Sequence, residues 1–185
     1  MTTTKVDETD GPVTNTQSSG GSASPRGYAL PSRVANVAGW LERLRKSSQR
    51  GALAELRRVR YDSIPGEAFW DLVQRFDIPE EEEAFWHAVI PLMVRHPHRR
   101  NIRPGRAIEA AGISKPRFER WLRLDRHGAQ MAAGRLLSKL GDDGLDWMNL
   151  GSALSNWSYD DRYRLASDFF LARERRESSH TDGAE

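Results

Sequence analysis

The helical character of this chain is clearest in the stretch Gly105-Arg-Ala-Ile-Glu-Ala-Ala-Gly-Ile-Ser-Lys-Pro-Arg-Phe-Glu-Arg-Trp121. Its first half has helix-forming residues and ends at Gly112, a residue that tolerates the left-handed backbone at which many helices end. Ser114 stands where an N-cap is expected, and Phe118 lies on the same helical face as Trp121. The stretch therefore predicts two short helices joined by a tight turn.

The helical spacing of apolar residues continues on both sides of this stretch. It recurs in the segments 34–44, 53–59, 69–76, 85–93, 128–140, 147–157 and 159–170. In the last segment Tyr159, Tyr163 and Phe169 are expected to face the core. Because no four-residue run shows the alternation typical of a strand, we expect an all-α protein. It should contain eight or nine helices in two packed lobes.

The composition also divides the 185-residue chain into regions. Residues 1–31 are rich in Gly, Ser and Thr and almost free of large apolar side chains, which predicts a disordered tail. We expect one helical domain over residues 32–174, with lobes at about 32–98 and 103–174. The apolar pattern is lost near the end of the chain, so residues 175–185 are expected to form a frayed C-terminus.

Several classes of protein are excluded by the composition. The chain has no Cys, which rules out disulfides, thiolate zinc sites and cysteine nucleophiles. No apolar run approaches the roughly 20 residues that a membrane-spanning helix needs, and residues 1–5 lack the apolar core of a secretory signal. We therefore expect a cytoplasmic protein that makes no contact with a membrane.

Charge is distributed in blocks, although the net charge is only +2. Residues 42–60 hold seven Lys or Arg against two acidic residues, and residues 95–139 hold twelve against three. Residues 61–94 instead hold one against eight, and residues 140–172 hold two against six. A surface that neutralises several phosphates needs such a concentration of basic side chains. Since nearly all of them are Arg, whose planar fork matches phosphate oxygens, the pattern predicts nucleic-acid binding.

Residues suited to catalysis or metal binding stand where local structure explains them. His96 and His98 lie in a proline-containing segment without Cys or a nearby carboxylate, so we expect a solvated loop there rather than a metal site. The acidic runs at 80–83, 142–143 and 160–161 fit helix starts or a loop. We therefore expect no cofactor, no metal and no enzymatic activity.

Four blocks of sequence follow one another in a distinctive order. They are Arg50–Val59; Phe69–Gln74; Gly105–Ile108 with Arg117 and Leu122–Arg126; and Arg135–Leu137 with Gly144–Trp147, Trp157 and Asp168–Phe170. In order and spacing these blocks resemble the CasB family, the small subunit of the type I-E CRISPR interference complex called Cascade. The resemblance covers roughly residues 36–174.

The resemblance implies an all-helical, non-catalytic protein of antiviral defence. Two adjacent copies would lie along Cascade and contact its backbone subunits and its large subunit. They would help to hold the heteroduplex of guide RNA and target DNA, and the displaced DNA strand. The family's phosphate-facing positions match Arg57, Arg58, Arg106, Arg117, Arg123, Arg126 and Arg135. Lys115 and Arg120 share a helix with Arg117 and complete the set of candidate nucleic-acid-binding residues.

Two features depart from the family pattern. The tail before residue 32 is longer than the small subunit needs. The acidic run at residues 80–83 stands where some relatives are basic, and we expect no nucleic-acid strand to contact it.

Two other functions fit the same residues. The helix after Ser114 would enter a major groove if the protein were a helix-turn-helix regulator, which would bind a defined duplex site as a symmetric dimer. Alternatively, the basic face of a purely structural adaptor would meet an acidic protein.

Overall fold

The computed structural model describes residues 30–181 except Ser48 and Tyr61, with side chains described as far as Ser178. These ranges contain nine α-helices and no strand. The helices are α1 (Leu30–Lys46), α2 (Arg50–Arg58), α3 (Glu67–Arg75), α4 (Glu80–Arg95), α5 (Pro104–Ala110), α6 (Lys115–Leu122), α7 (Arg126–Leu137), α8 (Trp147–Asn156) and α9 (Tyr159–Thr181). The predicted all-α class is confirmed. The predicted tail lies outside the described residues except for its last two positions.

Several helix starts follow from local chemistry. The Asp146 carboxylate accepts hydrogen bonds from the backbone N–H groups of Met148 and Asn149 at 2.9 and 3.3 Å and caps α8. Ser158 and Asp161 form a reciprocal capping box at the start of α9, with N–H to side-chain distances of 3.1 and 3.2 Å. These bonds satisfy N–H groups that the helix itself leaves unpaired.

The core is one cluster of buried apolar side chains drawn from both halves of the chain. Close packing of α1 on α8 contributes to this continuity. A Cβ at Gly151 would lie 3.0 Å from both γ carbons of Val34, so only Gly permits this approach without displacement. The division into lobes near residues 95–105 stays a prediction.

The segment 96–98 was wrongly predicted to be a solvated loop. His96 is only 7% exposed, and its carbonyl accepts a 2.7 Å hydrogen bond from the Trp147 indole. The backbone N–H of Trp147 donates to Nδ1 of His98 at 3.1 Å, and Leu145 N–H donates to the Pro97 carbonyl at 3.1 Å. His96 is buried and Pro97 and His98 are half-buried, because the segment pairs with the chain just before α8, as the isolated bridge between His98 and Leu145 also indicates.

Both of these histidines favour the neutral form. Burial lowers the pKa of His96 and the pKa of His98 from the ordinary value of 6.5. The carboxylate of Asp146, 3.9 Å from His98, acts in the opposite direction. The bond from the Trp147 N–H supports the neutral ring, since Nδ1 accepts that bond only when it carries no proton.

The expected core face of α9 is confirmed at Phe169 and wrong at the two tyrosines. Tyr159 and Tyr163 are 71% and 62% exposed, which corrects their predicted burial. Phe169 is buried as expected, and Leu165 is buried with it, because this face meets α5. The two helices approach closely at Gly105, where a Cβ would lie 2.3 Å from the Leu165 carbonyl oxygen.

Helix α9 also continues beyond the apolar pattern, to Thr181. Arg173 pairs with Glu177 at 2.8 Å, and Arg176 pairs with Glu109 of α5 at 3.2 Å. These ion pairs support helix over part of the region 175–185, for which the loss of apolar residues predicted fraying. Within the described part of the chain, no helix has the length and apolar character to span a bilayer.

Candidate nucleic-acid interface

Arginines dominate a cavity of about 770 Å³ along α2 and the end of α4. The arginines around it are Arg45, Arg50, Arg57, Arg58, Arg60 and Arg95. The other lining residues are Leu53, Ala54, Val59 and Val94, so no carboxylate lines the cavity. We call this feature the basic groove. It contains the first two candidate residues, Arg57 and Arg58.

Some arginines of the basic groove have a structural task. Arg45 donates to the carbonyl oxygens of Met93 and Val94 at 2.6 and 3.0 Å, and it pairs with Glu42. Arg60 pairs with Asp62 at 3.2 Å on the surface.

The remaining guanidiniums of the groove are less engaged. Arg95 makes a long bond of 3.4 Å to the carbonyl of Arg57. The side chains of Arg50, Arg57 and Arg58 have no hydrogen-bond or ion-pair partner among the described residues. These three positive charges are therefore available to an external anion.

A second group of basic residues lies where α6 and α7 form an antiparallel pair. The Arg117 guanidinium donates to the carbonyl oxygen of Arg135, which joins the start of α6 to the end of α7. The Arg135 side chain is exposed, and Lys139 follows one helical turn later. Lys139, in turn, lines a cavity of about 820 Å³ with Arg99 and Arg106, and also with the carboxylates Asp142 and Asp143. Three candidates, Arg106, Arg117 and Arg135, are thus linked through neighbouring residues.

His96 connects the basic groove with this second group. Its Nδ1 lies 3.4 Å from the carbonyl oxygen of Gly141, which lines the same cavity as Lys139. The pKa of His96 is lowered chiefly by burial and further by the positive charges of Arg95 and Arg57. The two groups of basic residues are therefore neighbours across the end of α4.

Three candidates lie at the other end of the α6–α7 pair. The turn between these helices carries three exposed arginines, Arg120, Arg123 and Arg126. At a rise of 1.5 Å per residue, this turn is about 12 Å from the start of α6. The Arg126 guanidinium donates a long bond of 3.4 Å to the Ser155 carbonyl. We call these three arginines the turn cluster.

Lys115 stands apart from both groups. Its ammonium lies 3.9 Å from Glu119 and 5.5 Å from the centre of the Phe170 ring, so it contacts α9. Of the nine candidates, Lys115 alone has an ion-pair partner within the described ranges. Because Lys115 and Arg117 bond within the protein, the start of α6 is poorly placed to read bases as a recognition helix does.

Besides Arg45 and Arg60, which are held by partners within the protein, sequence reasoning missed four basic residues that the structure adds to this surface. They are Arg50, Arg95, Arg99 and Lys139. All four belong to the basic blocks 42–60 and 95–139, so charge segregation was the signal that pointed to them. The resemblance selected only positions that match the family motifs.

Comparison with known proteins agrees with this geometry. A family model described as CRISPR-associated protein Cse2 matches residues 52–170, a segment that holds all nine candidate residues. The chain belongs to the Cse2 family. Cse2 is the CasB family of type I-E Cascade, so the resemblance read from the sequence is confirmed. The Cse2 family supplies a non-catalytic subunit of Cascade. A search of curated proteins gives no match.

Proposed function

We propose that this Cse2 protein binds the sugar–phosphate backbone of the guide–target heteroduplex and of the displaced DNA strand. In this proposal it adjoins the backbone and large subunits of Cascade and a second copy of itself. The basic groove carries the proposal, because six arginines line it and no carboxylate does.

The electrostatics of the groove support an anionic ligand. Like charges held close together repel one another, and a bound polyanion relieves this repulsion while releasing counterions. Arg50, Arg57 and Arg58 meet this condition most directly, since none has a partner among the described residues. Arginine also forms bidentate bonds with phosphate oxygens.

Backbone binding suits the division of labour in an RNA-guided complex. Base pairing with the guide RNA reads the target sequence, and the protein supports the strands through shape and charge. If the surface neutralises about five phosphates, the affinity for a single strand falls with salt at a log–log slope of about −3.5.

The test compares two double charge reversals that change the net charge equally. R57E/R58E removes two phosphate contacts of the basic groove. R43E/R75E is the matched control, because Arg43 and Arg75 are exposed on α1 and α3 and do not line the groove. The Arg75 guanidinium lies 5.9 Å from the centre of the Trp40 ring, so the melting temperature of the control is measured as well. The measurements are the salt dependence of single-strand binding by the full chain and the lifetime of the R-loop in assembled Cascade.

The proposal gives distinct results for the two variants. R57E/R58E lowers the magnitude of the salt slope by about 1.4, the value for two contacts, and shortens the R-loop lifetime. R43E/R75E leaves both quantities close to those of the unmodified protein. Equal losses in the two variants would mean that only net charge matters and would refute a specific groove.

A further inference from the structure

We propose that Tyr159 and Tyr163 form a stacking site for unpaired bases of a single nucleic-acid strand beside the turn cluster. The two side chains stand one helical turn apart on α9 and are 71% and 62% exposed. Their ring centres are 6.2 Å apart and their planes differ by 25°. Single exposed apolar side chains are common, whereas adjacent ones that form a contiguous patch often mark an interaction site. The inference rests on the proposed function and specifies the kind of strand bound.

The start of α9 lies against the α6–α7 turn. The Trp157 indole donates a 2.7 Å hydrogen bond to the carbonyl oxygen of Leu124 in that turn. The Arg162 guanidinium donates a 3.4 Å bond to the carbonyl oxygen of Leu122, at the end of α6. These bonds hold the start of α9, which carries both tyrosines, against the turn that carries the cluster.

The charges around the tyrosine pair favour an anionic ligand. None of the arginines of the turn cluster has an ion pair with a described residue. Two neighbouring carboxylates, Asp125 and Asp161, already accept hydrogen bonds as helix caps. These two carboxylates keep their negative charge, and Asp160 is exposed and adds a third. The five nearby arginines, namely the turn cluster with Arg162 and Arg164, outnumber the three carboxylates.

A second cationic contact lies on the other side of the pair. Tyr163 lines a cavity of about 410 Å³ with Arg103, Asn149 and Arg164. Arg103 is paired with Asp168 at 2.9 Å, whereas Arg164 has no partner among the residues described. Arg164 therefore adds a positive charge close to Tyr163, to that of the turn cluster.

This combination selects a single strand over a duplex. Aromatic faces bind bases of any sequence when these are unpaired, and nearby guanidiniums bind the phosphates. In a duplex the faces of the bases are occupied by their neighbours in the stack. The expected ligand is a single-stranded segment of DNA or RNA with accessible bases.

The experiment separates base stacking from phosphate binding. Full-length protein is titrated with oligodeoxythymidine and with an abasic strand of equal length, which has the same phosphates and no bases. Y159A/Y163A removes both rings, and Y159F/Y163F keeps them. L171A removes another exposed apolar side chain of α9 and is the positional control.

The inference predicts a loss that depends on the bases. Y159A/Y163A weakens binding to oligodeoxythymidine roughly tenfold, the size expected for loss of one stacked base, and leaves binding to the abasic strand unchanged. Y159F/Y163F and L171A bind both strands like the unmodified protein. Unchanged binding by Y159A/Y163A, or equal weakening for both strands, overturns the inference and leaves the tyrosines as a candidate protein contact.

The proposed function fails by a different pattern. In that case R57E/R58E binds both strands as tightly as the unmodified protein does. If the unmodified chain binds neither strand, both proposals fall.

If Y159A/Y163A does not fold, photo-crosslinking of the unmodified chain to a strand with 5-iododeoxyuridine tests the stacking site instead. Crosslinks at Tyr159 or Tyr163 support the site, and crosslinks confined to other residues refute it.

Discussion

The guanidinium of Arg33 lies 2.5 Å from the carboxylate of Glu82 and joins α1 to the first turn of α4 in a nearly closed environment. Arg33 is 3% exposed and also donates to the Phe76 carbonyl at 3.2 Å. The Trp86 indole donates to the same Glu82 oxygen at 3.2 Å. Glu82, one carboxylate of the acidic run at residues 80–83, therefore stabilises the fold.

Removing this carboxylate should destabilise the protein strongly. Glu82→Ala leaves the buried charge of Arg33 without its counter-ion, which costs about 3 kcal/mol. Glu83→Ala is the matched control on the same helical turn, because Glu83 has no ion pair among the described residues. Urea unfolding of both variants measures the difference. A similar loss in the two variants would contradict the role assigned to the Arg33–Glu82 pair.

Substitution by Ala should have opposite effects on stability at two glycines, one in a close helix contact and one on the surface. Gly105→Ala forces a Cβ against the Leu165 carbonyl and should cost about 1–3 kcal/mol of stability. Gly51→Ala in α2 meets nothing within 4 Å and should raise the stability by up to about 1 kcal/mol. Thermal unfolding distinguishes the two. A stable Gly105→Ala variant would mean that α9 moves away at little cost.

Acid should destabilise the protein through His96 and His98. Burial lowers the pKa of both below the ordinary value of 6.5, so the unfolded chain takes up protons first as the pH falls. Their contribution is fully present above about pH 6.5 and is lost as the pH falls through the lowered values. The melting temperature between pH 8 and pH 5 measures this loss.

The variant His98→Asn gives the control for this pH effect. The asparagine carbonyl replaces Nδ1 as an acceptor for the Trp147 N–H and does not titrate. Its melting temperature should fall less between pH 8 and pH 5 than that of the unmodified protein. An identical fall would assign the pH dependence to other groups.

Arg117 and Arg135 should differ in their effect on stability. Arg117→Gln loses the hydrogen bond to the Arg135 carbonyl and should cost up to about 1 kcal/mol, a low value because this contact is exposed. Arg135→Gln keeps that carbonyl and should melt like the unmodified protein. Both variants should weaken single-strand binding. Loss of stability in Arg135→Gln would indicate an unrecognised structural role for its side chain.

Local chemistry allowed much of the fold to be predicted from sequence. The caps at Asp146 and Ser158 bond to groups no more than three residues away along the chain, so the local sequence is enough to identify them. The pairing of His98 with Leu145 joins residues 47 positions apart, and nothing local announces it. Its absence from the prediction explains the error at residues 96–98.

Periodicity alone did not settle which face of α9 is buried. Phe169 was correctly expected in the core, but the position of α5 selects Leu165 as its buried neighbour and leaves Tyr159 and Tyr163 exposed. The basic surface was also predictable only in part. Charge blocks located the arginines, but whether a guanidinium such as that of Arg45 is consumed by backbone carbonyls depends on the folded arrangement.

The packing of α1 bears on how this protein can be recombined with its relatives. The segment that the family model matches begins at residue 52, whereas α1 begins at Leu30 and buries Val34, Val37 and Leu41 almost completely. The segment that the family model matches is therefore shorter than the folded domain, which includes α1. A chimera that exchanges only the matched segment would replace α8 and separate Val34 from Gly151, against which it packs. Any functional graft between Cse2 proteins must carry α1 together with α8.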